Sequence, residues 1–513
     1  MYRVNGISVS VTSELDKKAI AKKMNIDVQN INNFIILKKA IDARKKNDVR
    51  FVYSVAVETN IKLDNFEEYK KKEYVFPEGK KLSKRPVIIG MGPCGLFAGL
   101  MLAKAGYSPI IIERGSDVDS RIKAVKNFWE NGVFDSKTNV QFGEGGAGTF
   151  SDGKLNSGIH DSRCQFVLDT FAKYGADMEI TYAAKPHIGT DILAKVVKNI
   201  RYDIEKFGGE VKFLSQVTEI IVDNKRVIAV KVKNEIEEYI IETDNVILAI
   251  GHSARDTYRM IKGIGADMEQ KSFSVGVRIE HSQKMINESQ YGEFAKYLGA
   301  ADYKLSAHFD EGRSVYTFCM CPGGVVVASC SEEGGVVTNG MSYSERDGVN
   351  ANSAVLVNVT TDDFETEDVL SGVDFQERIE KKAFSIGGEN YFAPCQYLSD
   401  FIGTNVINKV IPTYKPGVKF CDITEIFPDF VIKNLKQGIL YFDKKIKGFA
   451  DGGAVITAPE TRSSAPVRIL RNKDSFMSNI KGLFPAGEGA GYAGGIMSAA
   501  VDGIKVSEAL VRE

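Results

Sequence analysis

The sequence has almost no net charge, since 66 Lys and Arg face 67 Asp and Glu over 513 residues. No overall field therefore draws the chain to nucleic acid or to a membrane, and any polar partner must be recognised locally. Long apolar runs are also missing; none approaches the ~20 residues that cross a bilayer. The opening MYRVNGISVSVTSELDKK has neither the apolar core nor the small-residue cleavage site of a secretory signal. A soluble cytoplasmic protein with no membrane partner is expected. The seven cysteines are odd in number and widely spaced apart from Cys319 and Cys321, which excludes a dense disulfide framework and points to a reducing compartment. The five histidines show no metal-ligand spacing. Repeats and low-complexity segments are absent as well.

What is there is enough chain for two or three domains, at ~100–200 residues each. Residues 1–80 read as a small N-terminal α/β domain and linker. An alternating strand near Val4–Val11 leads to a helix opened by Ser13, with Asp16 three residues later in the manner of a capping box. IILKKAID and VRFVYSVAV form a hairpin around ARKKND, and a charged stretch follows up to Arg85. Arg44, Lys45 and Lys46, without interleaved aromatics, are a solvated hairpin tip, and nucleic acid is not an expected partner.

The strongest motif is VIIGMGPCGLFAGLMLAKAGYSPIIIERG, where Gly90, Gly92 and Gly95 form G-x-G-x-x-G after a buried strand and open a helix. Gly90 permits the tight turn, Gly92 admits a pyrophosphate to the backbone, and Gly95 lets helix and strand approach, with the helix N-terminus attracting phosphate. Pro93 and Cys94 belong to the same turn. Glu113, ending the second strand, is placed to accept from adenosine ribose hydroxyls, with Arg114 beside it.

The second motif is GLFPAGEGAGYAGG. It resembles flavoproteins of the glutathione-reductase type, in which a strand end carries a carboxylate beside the ribityl chain and a following helix points its N-terminus at the flavin. That resemblance puts Gly487, Glu488, Gly494, Gly495 and Ile496 at FAD. A helix N-terminus carries about half a positive charge, which favours the reduced cofactor. DNVILAIGHSARD ends a strand at Gly251, and NVQFGEGGAGTFSDGKL offers Gly145, Gly146 and Gly148 to a ligand. Val217, in the run before that strand, completes the expected cofactor site.

The fold class expected is α/β: a discontinuous Rossmann-type FAD-binding domain with a parallel sheet and a β-meander, an inserted mainly antiparallel substrate domain, and the small N-terminal domain. The first part of the FAD-binding domain covers residues 81–265, the insert 266–440, and the C-terminal part 441–513. The order GMGPCGLFAGL, FGEGGAGTFSDGKL, FSVGVRIEH, FCMCPGG, SEEGGVVTNGMSYSERDGVNANSA, PTYKPGV, ETRSSAPVRI and GLFPAGEGAGYAGGIMSAAVDG resembles the uncharacterised bacterial FAD-dependent dehydrogenases over nearly the whole chain. The resemblance implies bound FAD and an oxidoreductase, and supplies no substrate.

The candidate catalytic residues are Lys154, Arg278, His281 and His252. His252 and His281 lie in motifs, and histidine is the side chain suited to general acid–base work near neutral pH, although each could equally be an ordinary hydrogen-bonded residue. Arg278, Arg346, Arg462 and Arg468 are candidate anion clamps. Cys319 and Cys321 point to one strand face, either as a redox pair or as small core residues. No second G-x-G-x-x-G with strand and helix flanks appears and no C-x4-C pair follows the first βαβ unit, so NAD(P)H would need another docking mode and a dithiol relay of that type is not expected. The expected activity is FAD-dependent oxidation or reduction of a small, anionic substrate. An RNA-modifying or adaptor protein, or a non-catalytic FAD sensor, is the alternative. The reacting face should combine the Gly143–Lys154 loop with the insert around Arg278–His281, Cys319–Cys321 and Glu332–Arg346.

Overall fold

The computed structural model describes residues 1–309 and 312–513. Its centre is a five-stranded parallel sheet in the order Leu483–Pro485, Val246–Leu248, Val87–Ile89, Ile110–Ile112, Glu210–Lys212. Four of these strands are short apolar runs buried on both faces, the pattern a covered parallel sheet requires. The Pro93–Lys104 helix buries every residue from Cys94 to Ala103, because the C-terminal helix Ile496–Arg512 covers its outer side. The two helices meet at glycine: a Cβ on Gly503 would stand 2.2 Å from the Cys94 carbonyl oxygen. A three-stranded meander, Gln216–Asp223, Arg226–Lys233 and Glu238–Glu242, precedes the returning strand Val246–Leu248.

The insert is built on a seven-stranded sheet in the order Ser306–His308, Ser314–Cys321, Asn350–Val359, Phe273–Ser282, Val455–Glu460, Ala393–Tyr397, Val418–Phe420. All its pairings are antiparallel except the last. Strand Val455–Glu460 lies between Phe273–Ser282 and Ala393–Tyr397, so this sheet reaches past residue 440. A neck joins the insert to the parallel sheet, where Met268–Gln270 pairs with Val467–Ile469. The hairpin Val325–Ala328 with Thr338–Met341 stands beside the large sheet.

The N-terminal sheet has the order Tyr2–Ser10, Arg50–Thr59, Ile31–Asp42 and packs on the helix Lys17–Met24. That helix starts later than the sequence suggests. Its cap is Asp16, whose Oδ1 accepts from the Ala19 N–H at 2.8 Å, whereas Ser13 belongs to the turn after the first strand. An Asp cap satisfies the first-turn amides as well as a Ser does, and Asp16 takes the place expected of Ser13. This domain docks through Lys39, whose backbone exchanges hydrogen bonds with Tyr182 and Ala184.

Candidate functional site

Two glycine turns meet over the carboxyl ends of the parallel strands. Gly90 has φ +97°, and a Cβ there would lie 2.5 Å from the Ala249 carbonyl oxygen. Gly95 is under the same compression, with an added Cβ 2.0 Å from the Gly90 oxygen. The loop at residues 143–154 crosses this turn. Gly145 N–H donates to the Met91 carbonyl at 2.9 Å, and a Cβ on Gly146 would stand 2.8 Å from Gly92 Cα. Gly145 and Gly95 therefore support the turns from beneath, while Gly92, Pro93, Cys94, Gly146 and Gly148 line the cleft above.

The loop is held by a residue the motifs do not reveal. Arg121 is fully buried and donates to the carbonyls of Asn139, Val140, Gly143, Glu144 and Gly146 at 2.7–3.3 Å. Burial lowers its guanidinium to about 10, which leaves it charged at neutral pH. Beside it the buried Glu144 accepts from the Val118 N–H at 2.8 Å and from Arg201 Nε at 2.8 Å.

The cleft runs from Glu113, Arg114 and Val217 past Gly251, His252 and Glu488 to Lys154, Phe318, Cys319 and Gly340. Together with its solvent-filled mouth the cleft has about 1670 Å³ of open space. Two helices begin here, at Gly92 and Gly495, and neither has a side-chain cap, so their first amides are available to a ligand. A Cβ at Gly251, Gly494 or Gly495 would meet no protein atom within 4 Å. His252 Nε2 is buried without a hydrogen-bond partner, while its Nδ1 lies 3.2 Å from Glu488 Oε1. Burial raises the Glu488 carboxyl, but the nearby His252 and the Gly495 amide outweigh it and leave the group lowered, hence ionised. Long shape, two uncapped helix starts, open glycine sides and an orphaned imidazole nitrogen fit a dinucleotide.

Glu113 has a second duty. Oε2 accepts from the Met91 N–H at 2.8 Å, and Oε1 accepts from Gly115 and Gly143 at 2.9 Å. Of about four lone-pair directions on a carboxylate, one is left for a ribose hydroxyl. Gly487 faces Cys94, closing the turn from the C-terminal side, and Ile496 packs on Gly148. Arg114 is partnered by Asp256 at 3.0 Å.

The expected catalytic residues separate. Lys154 and His252 line the cleft; Arg278 and His281 do not. Arg278 is fully buried one layer behind it, donating to Glu460 at 2.7 and 2.8 Å, to the Cys319 carbonyl at 2.7 Å, and to Asn352 and Asn339 at 3.1 Å. All its capacity is consumed, so it is a structural cross-link. His281 is in the insert core, with Nε2 2.8 Å from the Phe449 carbonyl. Burial lowers it to about 4, which keeps it neutral and removes it from proton transfer with a cleft ligand. The central strand Phe273–Ser282 is buried on both faces, so its motif-like polar residues point into packing.

The other arginines are also paired. Arg346 is bound to Asp152, Arg462 to Glu380, and Arg468 to Glu269 at 2.9 Å. Burial pushes the Cys321 thiol up to about 11, so it stays protonated at neutral pH, the less nucleophilic state. Cys319 lines the cleft at φ +40°, inside the bulge between Phe318 and Cys321.

The charged side chains of the cleft can now be compared. Asp152 has Arg346, Glu460 has Arg278, Arg462 has Glu380, Arg114 has Asp256, His252 has Glu488, and Glu113 has its three amides. Lys154 alone, among the described residues, is a cleft cation with no carboxylate partner; its ammonium donates to the Met320 carbonyl.

Residues 84–291 match the pyridine nucleotide-disulphide oxidoreductase family, and residues 272–463 match the C-terminal domain-like family of FAD-dependent proteins. Residues 1–58 match a domain of unknown function. An uncharacterized protein of Clostridium beijerinckii is 48% identical over 531 residues, covering 100% of this chain and 98% of that protein. The chain belongs to this family of FAD-dependent oxidoreductases. Its cofactor is FAD. Among solved structures, a geranylgeranyl bacteriochlorophyll reductase-like protein from Thermoplasma acidophilum is 12% identical at a TM-score of 0.36, covering 83% of this chain and 77% of that one. A flavocytochrome c3 fumarate reductase is 12% identical at a TM-score of 0.34, with the same coverages. No helix among the described residues is long and apolar enough to cross a membrane.

Proposed function

We propose that this oxidoreductase oxidises or reduces a small anionic substrate held between the flavin and the insert wall of Phe318, Cys319, Thr338, Asn339 and Gly340. Bound FAD supplies the two-electron carrier. The observation that carries the reading is the isolated charge of Lys154. Its ammonium can exchange the Met320 carbonyl for a substrate carboxylate or phosphate, a stronger, charge-assisted contact. The paired Asp152 and Glu460 add no free negative charge to oppose that anion.

In this reading the dinucleotide lies in the manner of the glutathione-reductase type. Its adenosine is by Glu113 and Val217, its pyrophosphate over Gly90–Cys94, and its reactive end by Gly148 and Lys154. His252, oriented by Glu488, offers Nε2 to the cofactor, which makes it a binding group and not the proton donor to substrate. A nicotinamide reductant would enter the same mouth.

The test is a panel of small carboxylates, phosphates and neutral alcohols, scored by anaerobic bleaching of the flavin or reoxidation of the reduced flavin. An anion should react, and Lys154→Met should retain FAD while losing about 2–4 kcal/mol of transition-state stabilisation, roughly 30- to 900-fold in kcat/KM. A reacting substrate that is neutral, or a variant with unchanged kcat/KM, would remove the anion assignment.

A further inference from the structure

The connection between the helix Leu398–Ile402 and the edge strand Val418–Phe420 has no regular structure beyond an isolated bridge at Lys415. Connections this long are uncommon in compact domains and are usually functional or linkers. This one is fixed in place. The Asp451 carboxylate accepts from the Ile407 and Asn408 amides at 2.8 and 2.9 Å. Val410 N–H donates to the Gly453 carbonyl at 2.9 Å, Gly452 N–H to the Asn405 carbonyl at 2.9 Å, and Asn350 Nδ2 to the Ile411 carbonyl at 2.9 Å.

On this fixed backbone Ile407 is 74% exposed, Ile411 79% and Val406 54%. Val349, beside the Asn350 that holds Ile411, is 80% exposed. The half-exposed Phe420 stacks on Tyr397 at 5.1 Å, and Lys409 Nζ stands 4.8 Å from the same ring, so loop and edge strand form one surface. Between residues 404 and 420 the chain has Lys409, Lys415 and Lys419 and no Asp or Glu. Lys419 donates to the Ile386 carbonyl at 2.9 Å, and among the described residues none of the three is paired with a carboxylate. Asp451, which frames the loop, spends both oxygens on backbone amides.

Apolar side chains displayed on a rigid loop, set among unpaired cations, call for a partner that is both apolar and anionic. A second copy of this chain does not meet that need, because a two-fold pair through this patch would bring one lysine-bearing loop, without Asp or Glu, against another. An anionic bilayer meets it: acyl chains take the isoleucines and headgroups take the ammoniums.

We propose that residues 403–420, with Val349, are a peripheral docking surface for an anionic phospholipid membrane. This goes beyond the expectation of no membrane partner, which rested on the balanced charge and the lack of a spanning run, since a peripheral contact needs no spanning helix. The surface backs onto the hairpin that walls the cleft. Val326 N–H donates to Thr413 Oγ1 at 2.8 Å and Val327 bridges to Lys415, while Thr338, Asn339 and Gly340 of the other strand line the cleft. Docking brings the reacting end within one hairpin of the lipid.

The experiment is vesicle flotation of the FAD-loaded full chain with pure phosphatidylcholine or with phosphatidylcholine containing phosphatidylglycerol. The protein should float with the anionic vesicles and release as salt is raised. Combining Lys409→Gln, Lys415→Gln and Lys419→Gln should weaken binding on the order of 100-fold, at about fivefold per lysine. Ile407→Ser with Ile411→Ser should weaken it roughly tenfold or more, with flavin absorbance retained as the check on folding. The proposal is overturned if the protein stays off anionic vesicles, or if both variants bind as the parent does. It is equally overturned if light scattering finds a dimer that the isoleucine variant dissociates, since the patch would then be a protein interface.

Discussion

Glu113 is first a residue of the fold. Its carboxylate ties the first glycine turn to the loop at residues 143–154 and leaves a single lone-pair direction free, which the proposed reading gives to the cofactor. Glu113→Ala should weaken FAD by about 10- to 150-fold, the loss of ~1.5–3 kcal/mol from one charge-assisted contact, and should lower thermal stability by orphaning three amides. Titration of FAD into the apoprotein gives the first quantity and a melting curve the second; an unchanged Kd would take Glu113 out of the site. His281 predicts a pH effect. Its folded value is about 4 against an ordinary 6.5, so the unfolded chain takes up the proton first as pH falls. Stability present above 6.5 is lost on the way down to about 4, by about 3 kcal/mol at the limit. Urea unfolding at about pH 7.5 and about pH 5 should show a decline that His281→Asn reduces, and equal declines in both proteins would place the proton elsewhere.

At the scale of elements, the insert is locked to the nucleotide domain by a buried charge cluster. Arg255, at the start of the Arg255–Gly263 helix, and Arg462 both bind Glu380 of the Ser371–Gly387 helix, at 2.9 and 2.8 Å. Burial opposes ionisation of Glu380, but the two guanidiniums hold it far below the usual carboxylate range. Glu380→Gln leaves two buried cations short of charge and should cost about 3–5 kcal/mol in urea unfolding of the holoprotein. A change of less than about 0.5 kcal/mol would mean that Glu332 and water already satisfy both arginines.

The elements also show what could be read beforehand. The turn at Gly90, Gly92 and Gly95 was legible because a tight strand–turn–helix junction is local and demands glycine at fixed spacing. Arg278 and His281 misled because a polar residue on a strand reads the same whether its side chain meets a cleft or a second packed layer, and the Phe273–Ser282 strand is covered on both faces. Arg121 was silent, since its partners are backbone carbonyls that any residue could supply. The extent of the insert's sheet was hidden for a similar reason: VITAPE has no turn or period that ties it to a strand nearly two hundred residues earlier.

At the scale of the whole molecule, every part converges on one cleft. The parallel sheet supplies two uncapped helix starts, the crossing loop supplies Lys154, and the insert supplies the opposite wall. The N-terminal domain touches the same region indirectly. Lys39 pairs with the 182–184 segment, whose continuation at His187 bridges to Lys154. FAD is proposed to lie along this cleft with its reactive edge between Lys154 and the insert wall. A crystal structure of the FAD-loaded protein tests it most directly. Adenosine should lie beside Glu113 and Val217, pyrophosphate over Gly90–Cys94, and the isoalloxazine ring against Gly148 with Asn339 and Gly340 facing it. An isoalloxazine ring at the Arg114 end, or one turned away from Lys154 into solvent, would contradict it.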